Sequence, residues 1–86
     1  MSEEELQKVG MIKHYYAKLG VAIVDITAPI ALQEKIRVRG TTTDFQQIIK
    51  SMEIEHKKVD KAKPGDAIGL KVEKRVREKD IVYKIK

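Results

Sequence analysis

The stretch that decides the fold reads Ala62-Lys63-Pro64-Gly65-Asp66-Ala67-Ile68-Gly69-Leu70-Lys71-Val72. Pro64 sets φ at the second position of a turn and Gly65 accepts a positive φ at the third, so the pair predicts a type II turn. After the turn, Ile68, Leu70 and Val72 recur at every second position, which places them on one face of a strand. Such a half-buried strand is stable only when other strands cover its apolar face. The stretch therefore predicts a fold built from strands.

Gly69 lies on the opposite face of this strand, next to Ala67, and admits two interpretations. Glycine inside a strand permits a bulge or the tight curvature of a barrel. Alternatively, the small residues at both positions leave the outer backbone bare for a ligand or another domain.

Length and composition indicate one small globular domain. The 86 residues are 42% hydrophobic and 36% charged, which is too much apolar material for a disordered chain. We expect residues 1–7 to form a flexible acidic tail and residues 8–86 to form the domain. The chain has no cysteine, which excludes disulfides and thiolate metal sites. No apolar run reaches the length of a membrane span and the acidic start is unlike a signal peptide, so a cytoplasmic location without a membrane partner is expected.

The chain is basic. Its formal net charge is +5, and without the three glutamates of the tail it is +8, since 18 basic residues then face 10 acidic ones. A basic body attracts polyanions such as nucleic acid through counterion release. The alternative interpretation is a solvated surface rich in lysine. The preference for Lys, Glu, Ile and Val is typical of proteins from hot environments.

Alternating apolar residues and turn signals predict about six short strands. They cover residues 8–16, 21–26, 35–39, 44–55, 67–72 and 81–86. The connectors between them include residues 27–34, 57–63 and 73–80, which contain proline or runs of charge. This regular spacing predicts an all-β fold, a small closed antiparallel β-barrel.

Residues 44–55 fit two patterns. Phe45, Ile48, Ile49 and Met52 are spaced as on one face of an amphipathic helix. In a strand, the adjacent isoleucines would need a bulge or a fully buried stretch. The residues alone slightly favour a helix, whereas the family resemblance given below favours a strand, which we adopt.

The sequence contains no motif typical of catalysis or cofactor binding. No glycine-rich loop followed by Lys-Ser or Lys-Thr is present to hold a nucleotide phosphate. His14 and His56 have no second metal ligand at a recognisable spacing. We therefore expect a non-enzyme without cofactor, metal or nucleotide.

Basic residues cluster on one strand face, around the Pro-Gly turn and near the end of the chain. RNA-binding barrels combine such cations with exposed aromatic side chains that stack on bases. Because neighbouring strand residues face opposite ways, one of Tyr15 and Tyr16 is expected in the core and the other on the surface. The predicted RNA-binding residues are Lys35, Arg37, Arg39, Tyr15, Tyr16, Lys71, Lys74, Arg75 and Arg77. The alternative is solvated cations and two packing tyrosines.

Several segments resemble the small β-barrel called domain 2 of translation elongation and initiation factor GTPases. Residues 62–70 match its Ala-x-x-Gly-Asp-x-Val-Gly-Leu segment, residues 32–38 resemble its Leu-x-x-Gly-Asp-x-Val-x-Val signature, and residues 76–82 resemble its closing Ile-x-x-Gly-Asp-Val-Leu. Gln33-Glu34 and Lys79-Asp80 replace the usual Gly-Asp pairs. The chain is similar also to barrels appended to peptidase-like enzymes of the U32 type.

The main resemblance implies a stand-alone, translation-factor-like barrel without a GTPase domain. In that family the barrel contacts the aminoacylated end of tRNA or neighbouring ribosomal RNA, so RNA or a translation-related partner is expected here. The alternative, from another class, is a protein-interaction barrel that docks on a separately encoded enzyme.

Overall fold

The chain folds into strands alone over the part that the structure describes. The computed structural model describes residues 5–86, and that range contains no helix. In chain order the strands are β1 (Leu6–Tyr16), β2 (Val21–Ile26), β3 (Ile30–Ala31), β4 (Lys35–Arg39), β5 (Asp44–Ile48), β6 (Met52–Ile54), β7 (Lys57–Val59), β8 (Lys61–Ala62), β9 (Ala67–Lys71) and β10 (Ile81–Ile85). Of the predicted acidic tail, residues 1–4 lie outside the described residues, and β1 begins two residues before the expected boundary.

Eight of these strands form one antiparallel sheet in the order β5-β4-β10-β1-β2-β9-β6-β7, and β3 pairs with β8 in a second sheet. The expected all-β, antiparallel class is therefore confirmed. The closed six-stranded barrel is wrong, because the described edge strands β5 and β7 do not pair and the hydrogen-bonded ladder stays open. The connectors predicted over residues 27–34 and 57–63 contain β3, β7 and β8. These strands were missed because they are only two or three residues long and carry proline or charge nearby.

The large sheet wraps around one core because a single chain segment runs from its β4 side to its β9 side. β5 pairs with β4, and after a short crossing β6 pairs with β9. Ile49 lies in the crossing, where it is fully buried and its amide donates to the Glu34 carbonyl at 2.9 Å. Residues 44–55 are thus two strands and not a helix. β5 ends at the half-buried Ile48, and the fully buried Ile49 follows it, so the pair needs neither the bulge nor the fully buried stretch that one continuous strand would require.

The core is built from alternate residues of the central strands. Ile68 and Leu70 of β9 and Ile36 and Val38 of β4 are fully buried, as the period of two predicts. Burial contributes about 1.5–3 kcal/mol for each such aliphatic side chain. The buried apolar residues are Val9, Ile12, Ala22, Val24, Ile26, Ile30, Ile36, Val38, Phe45, Ile49, Met52, Ala62, Ile68, Leu70, Val72, Val76 and Val82.

Strand β1 carries two bulges, which explain why its apolar residues alternate imperfectly. Its pairing with β10 shifts between Lys8 and Gly10, and its pairing with β2 shifts between Ile12 and His14. A bulge places two residues opposite one partner. As a result the consecutive residues Val9 and Gly10 are both buried.

Strands β4, β9 and β10 each begin directly after a four-residue turn of the same design. The turns comprise residues 31–34, 63–66 and 77–80, and their third residues Gln33, Gly65 and Lys79 have φ of 74°, 97° and 74°. In each turn the acidic fourth residue bonds back to the first residue's amide. Glu34 Oε1 accepts from Ala31 N at 2.5 Å, Asp66 Oδ2 from Lys63 N at 3.0 Å, and Asp80 Oδ2 from Arg77 N at 2.9 Å. Gln33-Glu34 and Lys79-Asp80 therefore keep the geometry that the Pro-Gly-Asp turn predicted.

Gln47 ties the β5 edge of the sheet to the chain that follows β9. Its side chain is 6% exposed; Nε2 donates to the Lys71 carbonyl at 2.9 Å and Oε1 accepts from the Glu73 amide at 2.9 Å. Both ends of the buried amide are thus satisfied, as burial requires. These side-chain bonds span a gap in the backbone ladder.

Replacing Lys79 with glycine should stabilise the protein. A side chain at positive φ costs about 1 kcal/mol relative to glycine, so we expect the free energy of unfolding, measured by urea denaturation, to rise by about that amount. Gly65→Ala is the matched control at the same turn position. An added Cβ there meets no atom within 4 Å, so backbone strain alone should lower the stability by about 1 kcal/mol. A loss of stability in Lys79→Gly would show that the turns are not equivalent.

Replacing Gln47 with leucine should destabilise the protein, because it leaves the Lys71 carbonyl and the Glu73 amide without their partner. Unsatisfied buried groups cost about 1–3 kcal/mol each, and urea denaturation should show a loss in that range. Thr42→Leu, at an exposed position before β5, is the control and should change the stability by less than about 0.5 kcal/mol. Equal losses in the two variants would mean that Gln47 does not tie the sheet edge.

Candidate functional site

The predicted basic face exists on β4, but its central cation is engaged. Lys35, Arg37 and Arg39 all point away from the core. Arg37 donates from Nε to Asp44 Oδ1 at 2.7 Å and from Nη2 to Asp44 Oδ2 at 3.0 Å. A guanidinium fork on a carboxylate is a strong, directional pair. The positive charge of Arg37 is therefore largely neutralised by the Asp44 carboxylate.

The other predicted cations lie elsewhere. Lys71 is on the outer face of β9, and its Nζ donates to the Leu19 carbonyl at 2.9 Å, which ties β9 to the β1–β2 turn. Lys74, Arg75 and Arg77 are exposed in the loop between β9 and β10. Strands β10, β1 and β2 separate β9 from β4 in the sheet. The structure thus does not gather Lys71 with the β4 cations.

Two pairs of the predicted residues do come together. Arg77 bonds to Asp80, whose carboxylate lies so close to Gly40 that no side chain would fit there. The backbone amide of Arg77 is thereby held at the end of β4, whose last residue is Arg39. At a different place on the sheet, Tyr16 and Lys71 lie on either side of one residue of β2.

The two tyrosines face opposite ways, as expected of neighbouring strand residues, although neither belongs to the buried core. Tyr15 is half-buried and packs against the core, whereas Tyr16 is 47% exposed. The ring of Tyr16 contacts the edge of the His14 ring, with centroids 4.4 Å apart. His14 in turn lies 3.3 Å from the Glu78 carboxylate.

An open groove of about 540 Å³ lies on the outer face of β2, β9 and β6. We call it the Gly69 groove, after the residue at its centre; its lining residues are Tyr16, Leu19, Val21, Ile23, Ser51, Glu53, Glu55, His56, Ala67, Ile68, Gly69 and Lys71. Leu19 is 62% exposed, and with Tyr16 it is one of two large apolar residues exposed within residues 5–86. The sequence analysis gave the bare backbone at Ala67 and Gly69 as one of two interpretations, but it missed Leu19, which lies exposed in the β1–β2 turn.

The groove's far wall includes a strained hairpin turn. Glu55 and His56 connect β6 to β7 with φ of 50° and 66°. Two-residue turns with positive φ usually hold Asn-Gly or Asp-Gly. Holding two larger residues there costs stability, and such strain is often found at functional sites.

A second hollow of about 430 Å³ lies beside the β3–β8 pair, with Pro29, Lys61 and Lys63 in its lining. Lys84 reaches this hollow but is 3.2 Å from the Glu34 carboxylate. Over the described residues no group of three or more His, Cys, Asp or Glu side chains is arranged to hold a metal ion. That part of the chain also contains no helix able to cross a membrane.

Comparison with known proteins gives one sequence relative. No protein-family model matches the chain. A Methanocaldococcus jannaschii protein named as an uncharacterized protease is 35% identical over 80 residues. The match covers 92% of this chain and 20% of that protein. The chain thus spans a fifth of the length of the relative it matches.

Two solved structures of one bacterial domain have the same fold. The C-terminal domain of a Geobacillus thermoleovorans protein described as a U32 peptidase superimposes with a TM-score of 0.86, at 20% identity over 91% of both chains. The selenomethionine variant of that domain gives 0.85 at 19% identity, over 88% of this chain and 96% of the other. At this identity the likeness establishes the fold.

These findings overturn the resemblance to domain 2 of translation factor GTPases. The sequence relative is named a protease, and the shared fold is that of a peptidase C-terminal domain. The expected translation-factor-like, RNA-binding function is therefore wrong. The quoted motifs misled because their residues serve the geometry of a turn. In each, a residue with positive φ precedes a carboxylate that closes the turn before a strand begins. A turn of this kind can precede a strand in unrelated β-sheet proteins.

The pKa of the Asp44 carboxyl should lie below its ordinary value. The hydrogen bond from Arg37 holds its pKa below the ordinary value of 3.8, helped by the positive charges of Arg37 and Arg39. Because the folded pKa is the lower one, the pair stabilises the fold above the ordinary pKa, and this stabilisation is lost as the pH falls through the lowered value.

NMR titration of the carboxyl carbon measures this shift. Arg37→Gln should return the pKa of Asp44 toward its ordinary value, whereas Arg39→Gln, the control, should move it less. An unchanged pKa of Asp44 in Arg37→Gln would rule out the hydrogen bond as its main cause.

Proposed function

We propose that this chain is a non-catalytic accessory domain that packs on the body of a U32-type protease. The observation that carries this proposal is the match of nearly the whole chain to one fifth of a protein named as a protease. A domain of the same fold stands at the C-terminus of a protein described as a U32 peptidase. The chain then corresponds to the accessory part of such an enzyme, packed on a protease body.

The outer face of the sheet supports a docking role. A solvated face of an antiparallel sheet is normally polar. Here Met11, Val21, Ile23, Ile81 and Tyr83 point to the outer side and are only half-buried. A partner that covers this face would remove their apolar surface from water. The cytoplasmic location and the single domain over residues 8–86 stay predictions within this proposal.

A defined partner tests the proposal. The Methanocaldococcus jannaschii relative, produced without the 80 residues that match this chain, should bind the chain in a 1:1 complex by size-exclusion chromatography with light scattering. The control is the same relative with those residues intact, which should not bind, because its own domain already occupies the surface. Binding to neither form, or to both equally, would contradict the accessory role.

A capture experiment extends the test to the native partner. The tagged chain, incubated with nuclease-treated extract of its own organism, should recover one stoichiometric protein whose peptides identify it as a U32-type protease. Recovery of an unrelated protein as the stoichiometric partner would overturn the assignment to a protease body.

A further inference from the structure

The Gly69 groove is open because glycine occupies a strand position that does not need it. β2 and β9 pair in unbroken register from Val21↔Lys71 to Asp25↔Ala67, so Gly69 does not mark a bulge. Its φ is not in the positive region that favours glycine. An added Cβ would meet Val21 Cγ1 at 3.5 Å and the Glu53 carbonyl at 3.9 Å, which are ordinary contacts. Neither backbone nor packing therefore demands the glycine.

Glycine is also unfavourable at such a position. It loses more conformational freedom on folding than any other residue and weakens a strand interior. The effect that Gly69 does have is to bare the backbone between Ile23 on β2 and Glu53 on β6, which face it across the sheet. Of the two interpretations that the sequence left open, the regular register favours the bare outer backbone.

The walls of the groove carry apolar and acidic groups. Tyr16 and Leu19 supply exposed apolar surface, and Ile23 lies in the floor. Glu53 and Glu55 contribute two carboxylates that form no ion pair or side-chain hydrogen bond within residues 5–86.

The charges of the groove differ from those of the rest of the molecule. The ammonium group of Lys71 is already bound by the Leu19 carbonyl. In a chain of net charge +5, the Gly69 groove thus places two carboxylates beside apolar surface. Lys58 lies opposite Glu53 on β7 but forms no ion pair with it. The chemistry that fits it is an apolar side chain accompanied by cations. Its volume of about 540 Å³ lies in the range of roughly 300–1,000 Å³ that holds drug-sized ligands.

We propose that the Gly69 groove binds an extended segment of the protease body, which lays an apolar side chain over Gly69 and places lysine or arginine beside Glu53 and Glu55. This rests on the proposed function and adds the surface and the chemistry of the partner segment. Exposed apolar side chains that cluster in a groove mark such contact sites more often than single ones do.

A peptide titration tests the groove without the protease. The probe is acetyl-Gly-Lys-Leu-Lys-Gly-amide, added to the ¹⁵N-labelled full chain, and saturable shifts are expected at the amides of Gly69, Ile23 and Glu53. Peptides with Glu-Leu-Glu or Lys-Ser-Lys at the centre are the controls and should bind more weakly. Shifts located at the 73–79 loop, or equal binding of the Glu-Leu-Glu peptide, would overturn the proposal.

Charge variants show whether the peptide is attracted by the groove carboxylates or by the net charge of the protein. Glu53→Gln and Glu55→Gln should each weaken binding of the lysine peptide about threefold, which is the effect of losing one exposed ion pair. Glu73→Gln removes the same charge outside the lining of the groove and should leave the affinity unchanged. Equal weakening by Glu73→Gln would mean that net charge alone attracts the peptide.

Filling the groove is the sharpest test, since a Cβ added at Gly69 meets only ordinary contacts. Gly69→Val adds a branched side chain that favours strands, so the thermal midpoint should stay at or above that of the parent protein. Binding of the lysine peptide should fall about tenfold, the loss expected when roughly 1.4 kcal/mol of contact is removed. Gly69→Ala provides an intermediate step. A Gly69→Val protein that is folded and binds as the parent does would refute the groove as the contact.

The same variants distinguish failure of this inference from failure of the accessory role. If the parent chain binds the shortened relative and folded Gly69→Val binds it equally well, the protease is the partner but the groove is not the contact. If the parent chain binds the peptide but not the relative, the groove chemistry holds and the assignment to the protease body fails. Self-association of the chain that Gly69→Val abolishes would identify a second copy as the occupant and overturn the proposal.

Discussion

The architecture depends on three turns that are closed by a carboxylate. In each, a residue with positive φ is followed by Glu34, Asp66 or Asp80, whose carboxylate accepts a hydrogen bond from the backbone amide at the start of the turn. The residue before each turn is buried, and a central strand of the large sheet begins directly after it. Because a slip of one residue would move every side chain to the other face, these turns set which residues of β4, β9 and β10 face the core.

This constraint explains why local motifs indicated the wrong family. The segments that resemble translation factors coincide with the turns, and their residues are determined by backbone geometry. Lys79 and Gln33 keep that geometry without glycine, so even the departures from the motif carry no functional information. The sequence match to a relative named as a protease covers 92% of this chain, and the structural match to a peptidase C-terminal domain covers 91% of it, so both extend well beyond these turns. They are the basis of the accessory role proposed above.

The candidate site could be predicted only in part, and the reasons are physical. Alternation along β4 placed its cations outside, and alternation along β1 predicted that Tyr15 and Tyr16 face opposite ways. Local pattern could not show that Arg37 pairs with Asp44 or that Lys71 binds the Leu19 carbonyl, because both partners come from other strands or turns. The Gly69 groove has contributions from several segments, so its lining follows from strand order.

By itself the sequence determined the all-β class, the Pro64-Gly65 turn and the alternation that buries Ile68, Leu70 and Val72. These depend on neighbouring residues, through backbone φ and a period of two. Only the tertiary structure decided that the sheet has eight strands with an open ladder, that Gln47 spans a gap in it, and that Gly69 lies in a regular strand instead of a bulge. Each of these depends on which distant segments pair, and pairing is settled by how the whole set of apolar faces can be buried together.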